Sequence, residues 1–264
     1  MDRIENIGYG EDLPYDVIRL TEFLRDGVPE VGFIESTLGG LSGRRCLELC
    51  SGTGRLAVRL AEGGGDVWAI DGSRTMMRFM RKRIDALKSP LGDRLHVTRG
   101  DICLVPYPPQ MDIVILADGA LGYLLDACSM ESVLRKCSHS LKREGVLLAH
   151  LFNPQVRRRR DRADQGVWTC SVYGDNSGLA VVQRRRTTAE AGGILKTEYW
   201  ETFIADGVTV RETSRVMRYR LPKSEEVLER AQHFGFRLTA TYGGFDMSPV
   251  GEGLDTILVM KRDP

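Results

Sequence analysis

Between residue 44 and about 152, short apolar runs alternate with longer stretches in which apolar positions return every three or four residues. That alternation predicts a parallel sheet wound with helices. The strands fall at 45–50 (CLELC), 66–70 (DVWAI), 94–98 (RLHVT), 112–117 (DIVILA) and 145–152 (GVLLAHLF). Met76, Met80, Ile84 and Leu87 mark one helix with a single buried face, and Met130, Val133, Leu134, Cys137 and Leu141 mark another. Gly63-Gly64-Gly65 supplies the left-handed conformations that end the first crossover helix. Ahead of the sheet, residues 13–40 hold two helical segments broken at Gly27-Val28-Pro29, where Pro is suited to open the second.

The pattern changes after residue 152. Segments 167–173, 179–190, 194–204 and 208–220 are separated by Gly-, Asn- and Asp-rich turns, as in an antiparallel meander. A helix follows near Ser224, a suitable N-cap with Glu225 and Glu226 in its first turn, and strands near 236–242 and 256–261 close the chain. The predicted division is a helical cover over 1–43, a nucleotide-binding type of α/β domain over 44–152 and 222–264, and an inserted β lid over 153–221.

The length of 264 residues suits one large domain carrying an insertion. With 37 basic and 36 acidic residues there is no whole-molecule field of the kind that attracts nucleic acid. Met1-Asp2-Arg3-Ile4-Glu5 lacks the form of a secretory signal, so the chain reads as cytoplasmic. Its densest apolar runs fall well short of the about 20 residues that span a bilayer, so no membrane association is expected. Six cysteines without a C-x-x-C pair and four scattered histidines give no metal-ligand spacing; reduced, mostly buried thiols are expected and no metal site.

Leu47-Glu48-Leu49-Cys50-Ser51-Gly52-Thr53-Gly54-Arg55 lies where the first strand turns into the first crossover helix, the ligand-binding end of such a sheet. Gly52 and Gly54 allow a ligand close to the backbone, and Asp71 ends the next strand where a carboxylate can bond ribose hydroxyls. An adenosine-containing cofactor fits both. Gly52-Thr53-Gly54-Arg55-Leu56-Ala57 also satisfies the dinucleotide pattern of nicotinamide enzymes. Glu48 separates the two: it would repel a pyrophosphate, but it would attract the ammonium of an amino-acid moiety beside a sulfonium.

With these residues the sequence resembles the class I S-adenosylmethionine-dependent methyltransferases, whose first motif is E/D-x-G-x-G-x-G. It reads here Glu48-x-Cys50-x-Gly52-x-Gly54, with Cys50 replacing the first glycine. The resemblance continues through Asp71-Gly72, Gly100-Asp101-Ile102 and Met111-Asp112. It implies a doubly wound, mostly parallel, seven-stranded Rossmann-like sheet and S-adenosylmethionine as cofactor. Its amino-acid portion would fall to Glu48, Cys50, Gly52 and Gly54, its ribose to Asp71 and Gly72, its adenine to Asp101 and Ile102, and Ala117 and Asp118 would lie beside the methyl group. A narrower similarity, to small-molecule methyltransferases including sugar N-methyltransferases, is carried by Tyr15-Asp16, Asn153-Pro154, the meander, and Tyr242-Gly243-Gly244-Phe245-Asp246. It implies a small-molecule methyl acceptor and allows for a homodimer.

In-line displacement from a sulfonium asks the protein to align a nucleophile and exclude water, and to remove a proton from an alcohol or protonated amine. Asp118, Tyr123 and His150 are the candidates for that proton, against a turn role for Asp118-Gly119 and a core role for the histidine. Tyr15, Asp118, Tyr123, Trp200 and Tyr242 are the candidate acceptor contacts. Arg157 to Arg160 follow Asn153-Pro154 on an expected loop, while Arg184-Arg185-Arg186 in a strand must alternate faces, which argues against a nucleic-acid surface. An NAD-dependent oxidoreductase, a non-catalytic nucleoside-binding protein, and a methyltransferase acting on RNA or protein are the alternatives.

Overall fold

The computed structural model describes residues 29–87, 91–161, 166–174, 179–251 and 253–263. Tyr15, Asp16 and the first predicted helical segment lie outside them. Seven strands form the main sheet: β1 (Arg45–Leu49), β2 (Asp66–Asp71), β3 (Leu95–Arg99), β4 (Met111–Leu116), β5 (Leu141–Phe152), β10 (Phe236–Tyr242) and β11 (Asp255–Arg262). They run in the order β10-β11-β5-β4-β1-β2-β3. β1 pairs in parallel with β2 and β4, β2 with β3, and β4 with β5, whereas β11 lies antiparallel to both β5 and β10.

Alternation along these strands sorts the core onto two faces. Leu47, Leu49, Val114, Leu116, Leu147, Ala149 and Leu151 pack with α4 (Ala127–Ser140) and α6 (Ser224–His233). Cys46, Ile113, Ile115, Val146 and Leu148 pack with α1 (Pro29–Leu38), α2 (Arg55–Glu62) and α3 (Arg74–Asp85). The expected N-cap at Ser224 moves by one residue: Lys223 occupies it, without a side-chain cap.

The meander forms a separate four-stranded antiparallel sheet, β6 (Trp168–Gly174), β7 (Leu179–Ala189), β8 (Ile194–Ala205) and β9 (Val208–Arg220), in that order. Its inner face carries Thr187, Leu195, Thr197, Tyr199, Met217 and Tyr219; Leu195, Met217 and Tyr219 cluster with Tyr123 of the turn Ala120–Tyr123. The arginine run expected on a loop is instead helical, α5 (Pro154–Arg160). Asn153 caps it by accepting from the N–H groups of Gln155 and Val156, and Pro154 needs no hydrogen-bond partner in the first turn. The thiols also depart from expectation: Cys46 and Cys137 are buried, Cys50 and Cys103 half-buried, and Cys128 and Cys170 exposed. Cys128 lies in the first turn of α4, and Cys170 on an edge strand.

Candidate active site

Strand order reverses between β1 and β4, and the loops at their carboxyl ends part there, as at the crevice of open α/β sheets. A cavity of about 250 Å³ lies at this point, bordered by the loops after β1, β2, β3 and β4 and by the start of α4. Glu48, Cys50, Gly52, Asp71, Gly72, Asp101, Ile102, Ala117, Asp118 and Tyr123 line it.

The first loop is shaped by backbone conformation. Cys50, Gly52 and Gly54 all take positive φ, 58°, 56° and 74°. For Cys50 this is the left-handed region that side chains avoid, which accounts for the usual glycine at that position. A Cβ on Gly52 would meet nothing within 4 Å, but one on Gly54 would lie 2.5 Å from Cγ of Met80. Gly54 is not among the lining residues; it lets the start of α2 close on α3, whereas Gly52 borders the cavity as expected. Asp71 fastens the loop from β2: its Oδ2 accepts the Gly52 N–H at 2.8 Å and its Oδ1 the Ser73 N–H at 2.8 Å. Burial raises the Asp71 carboxyl above the usual range, against the pull of these two N–H groups.

Glu48 is the penultimate residue of β1, on the same face as Cys46 and so on the α2 side of the sheet, and is 4% exposed. Its Oε2 has no hydrogen-bond partner among the described residues. Burial pushes the carboxyl up to about 8, opposed by the Arg55 guanidinium and the Ala57 N–H and reinforced by Asp71 and Glu30. Arg55 itself is held by Glu30 of α1, Nη2 to Oε1 at 2.6 Å, with both side chains largely buried. Glu30 escaped the sequence reading because it lies 25 residues from Arg55 with no pattern joining them. Thr53, Gly100, Cys103, Asp126 and Ser129 also line the cavity unpredicted; Asp126 caps α4, a signal that was legible.

On the third loop, Asp101 Oδ1 accepts the Cys103 N–H at 2.8 Å, and the Ile102 carbonyl accepts from Tyr107 at 2.7 Å and Lys136 at 2.8 Å. On the fourth, Asp118 takes a φ of 49° and its N–H donates to Nδ1 of His150 at 3.1 Å. Nε2 of His150 lies 3.0 Å from Asp255 Oδ1. An accepting Nδ1 and a donating Nε2 define the neutral ring tautomer, a consequence of its partners.

The structure thus gathers Asp118 and Tyr123 at the cavity and leaves three candidates outside its lining. His150 is buried, has both nitrogens engaged, and meets Phe152 and Phe245 edge-on. Tyr242 packs edge-on against Phe33 of α1, with ring centres 5.4 Å apart. Trp200 lies on the outer face of the meander, opposite Arg184 and Ser214 and 44% exposed, while its neighbour Tyr199 faces inward. No helix among the described residues is long and apolar enough to cross a membrane.

Residues 46–145 match the sequence model of a family described as a methyltransferase domain. The uncharacterized methyltransferase GWCH70_2477 of Geobacillus sp. strain WCH70 is 31% identical over 110 residues, 42% of this chain and 48% of that protein. The chain spans about half the length of the curated relatives it matches. Among solved structures, an S-adenosylmethionine-dependent methyltransferase from Clostridium acetobutylicum superposes with a TM-score of 0.76 at 16% identity, covering 94% of this chain and 98% of that one. The sugar N-methyltransferase KedS8 from Streptoalloteichus superposes with a TM-score of 0.73 at 19% identity, covering 95% and 93%. These likenesses carry the fold, and the family match covers every residue that lines the cavity. Residues 46–145 accordingly carry the sequence pattern of a methyltransferase domain, on the fold these solved structures share.

Proposed function

We propose that this chain transfers the methyl group of S-adenosylmethionine to an amine or hydroxyl of a small molecule. The observation that carries the proposal is the cavity at the β1/β4 switch point, where Glu48, Asp71, Asp101 and Asp118 arrive from four successive strand ends. This donor set fits the cofactor. A buried Glu48 oxygen without a partner suits an ammonium group, Asp71 retains acceptor capacity for ribose hydroxyls, and Asp101 with Ile102 borders the place of the adenine. Gly52, Gly72 and the Cys50 backbone would let the cofactor lie close to the chain.

When bound, the cofactor supplies a methyl group on a sulfonium, already activated for displacement. The chain's residues then orient the acceptor and manage its proton. Asp118 is the group we assign to binding the acceptor and taking its proton, and Tyr123 the group that positions it. His150 acts at one remove, accepting the Asp118 N–H and so holding that residue in its left-handed turn.

Two observations support a small acceptor. The inner end of the meander docks on the turn that carries Tyr123, a residue of the cavity lining. Several arginines of the basic runs are also engaged within the chain: Arg157 and Arg185 meet Asp161, and Arg186 meets Glu198. The sugar N-methyltransferase named among the structural neighbours suggests amino sugars as the first acceptors to try. The test is release of S-adenosylhomocysteine from S-adenosylmethionine over a panel of amino sugars, other small amines and hydroxylated compounds, with tRNA and protein as comparison arms. Turnover on a small molecule, lowered at least tenfold by Asp118→Asn, is expected; turnover confined to RNA or protein would overturn the assignment.

A further inference from the structure

The charges around Glu48 do not balance. Glu48, Glu30 and Asp71 bring three carboxyls to the region where α1, β1, α2 and β2 meet, and Arg55 is the cation that acts on Glu48 and Glu30. Arg55 also feels Asp118 from across the cavity. Taking a carboxylate out of water is costly unless it gains a counter-ion or several hydrogen bonds, and otherwise the group keeps its proton. Glu30 holds the Arg55 contact at 2.6 Å, and Asp71 has its two backbone N–H groups. What reaches Glu48 is the Ala57 N–H and an Arg55 charge shared with Glu30, and its Oε2 is left without a partner among the described residues. Of the three carboxyls it is the least compensated.

We propose that Glu48 is a carboxylic acid in the ligand-free protein and gives its proton to solvent when a ligand carrying an ammonium group binds. The proposal rests on reading the cavity as the S-adenosylmethionine site. The O–H bond of the acid breaks and the proton passes to buffer. The ligand's ammonium keeps its own protons and donates a hydrogen bond to the new carboxylate. One positive charge replaces another, so the buried region gains no net charge. Glu30 is the positioning residue of this exchange, because by holding Arg55 it withholds the counter-ion that would ionise Glu48 beforehand. The site thereby selects for the amino-acid end of its ligand: a nucleoside with a neutral tail offers nothing to offset the proton's departure.

Proton release is read directly by calorimetric titration of the full chain with S-adenosylhomocysteine in phosphate and in imidazole at pH 6.5, buffers with very different ionisation enthalpies. A free α-amino group, with a pKa of about 7.7–8.0, is still charged there. With Glu48 pushed up to about 8, close to one proton per bound ligand is expected. The affinity should rise about tenfold between pH 6 and 7. Methylthioadenosine, which lacks the amino-acid end, should bind without proton release. Glu48→Gln should abolish the release with S-adenosylhomocysteine and flatten the pH dependence. Glu30→Gln, which leaves Glu48 in place and frees Arg55, should reduce the release to less than half.

Tight binding of S-adenosylhomocysteine to the unaltered protein with no proton exchanged would overturn the proposal while leaving the cofactor site in place. Full release retained in Glu48→Gln or in Glu30→Gln would overturn it in the same way. Absence of any binding would remove the cofactor site and the proposal together.

Discussion

Gly54→Ala probes the contact that sets the entry of α2 against α3, and its cost can be worked from the local geometry. Gly54 has a φ of 74°, where any other residue loses about 1–2 kcal/mol. The new Cβ would also lie 2.5 Å from Cγ of Met80 and 3.3 Å from its Sδ and Cε. Met80 is 0% exposed, so it cannot swing into solvent, and over-packing of this kind costs about 1–3 kcal/mol. Together these predict a loss of about 2–5 kcal/mol, a large share of the about 5–15 kcal/mol that holds a typical domain. Gly52→Ala is the internal control: φ is 56°, but nothing lies within 4 Å of the added Cβ, so only the conformational cost of about 1–2 kcal/mol applies. Urea unfolding followed by circular dichroism measures both as shifts of midpoint at constant slope. In a Met80→Ala background the cost of Gly54→Ala should fall to that of Gly52→Ala, because the double change removes the clash. Equal losses at 52 and 54, or strict additivity of Gly54→Ala with Met80→Ala, would refute the packing explanation.

Asp71→Ala leaves the Gly52 and Ser73 N–H groups without their acceptor, at about 1–3 kcal/mol each; S-adenosylhomocysteine should bind at least tenfold more weakly by calorimetry, and unchanged affinity would remove Asp71 from the site. At the opposite end of the sheet, burial of Asp112 is outweighed by the Arg45 N–H, Lys142 and Arg44, which hold its carboxyl below the ordinary value. A depressed folded value means that its contribution is present above about pH 4 and lost as the pH falls through that lower value. Asp112→Asn should therefore cost about 1 kcal/mol at pH 7 in urea unfolding, with the gap closing toward about pH 2; a gap that widens on acidification would show the wrong sign. Trp200→Ala, on the exposed face of the meander, should leave S-adenosylhomocysteine affinity unchanged and stability within about 0.5 kcal/mol by the same assays.

The strands of both sheets were legible because their apolar runs are bounded by turn residues, and β4 and the second half of β5 are near-continuous apolar runs, as strands covered on both faces are. The lining of the cavity was legible where one short motif sits on one loop, as for Glu48, Cys50, Gly52 and Asp101. The outward face of Trp200 was not, because alternation says which residues share a face and leaves open which face finds a partner layer. The core role open to His150 was legible in its apolar run, but its partners, a backbone N–H 32 residues away and a carboxylate 105 residues away, were not. The helix at Pro154 did carry a signal: Asn at the N-cap followed by Pro opens helices as readily as it ends strands. Glu30 and Arg55 show the limit most clearly, since their pairing arises from where α1 docks on the sheet.

Equilibrium binding to the purified chain tests the central claim most directly, by calorimetric titration with S-adenosylmethionine, S-adenosylhomocysteine and NAD in parallel. Binding of the first two at one ligand per chain, with no heat of binding from NAD, is the predicted result. Binding of NAD alone would contradict the account, for it would mean that the cavity holds a dinucleotide and not S-adenosylmethionine.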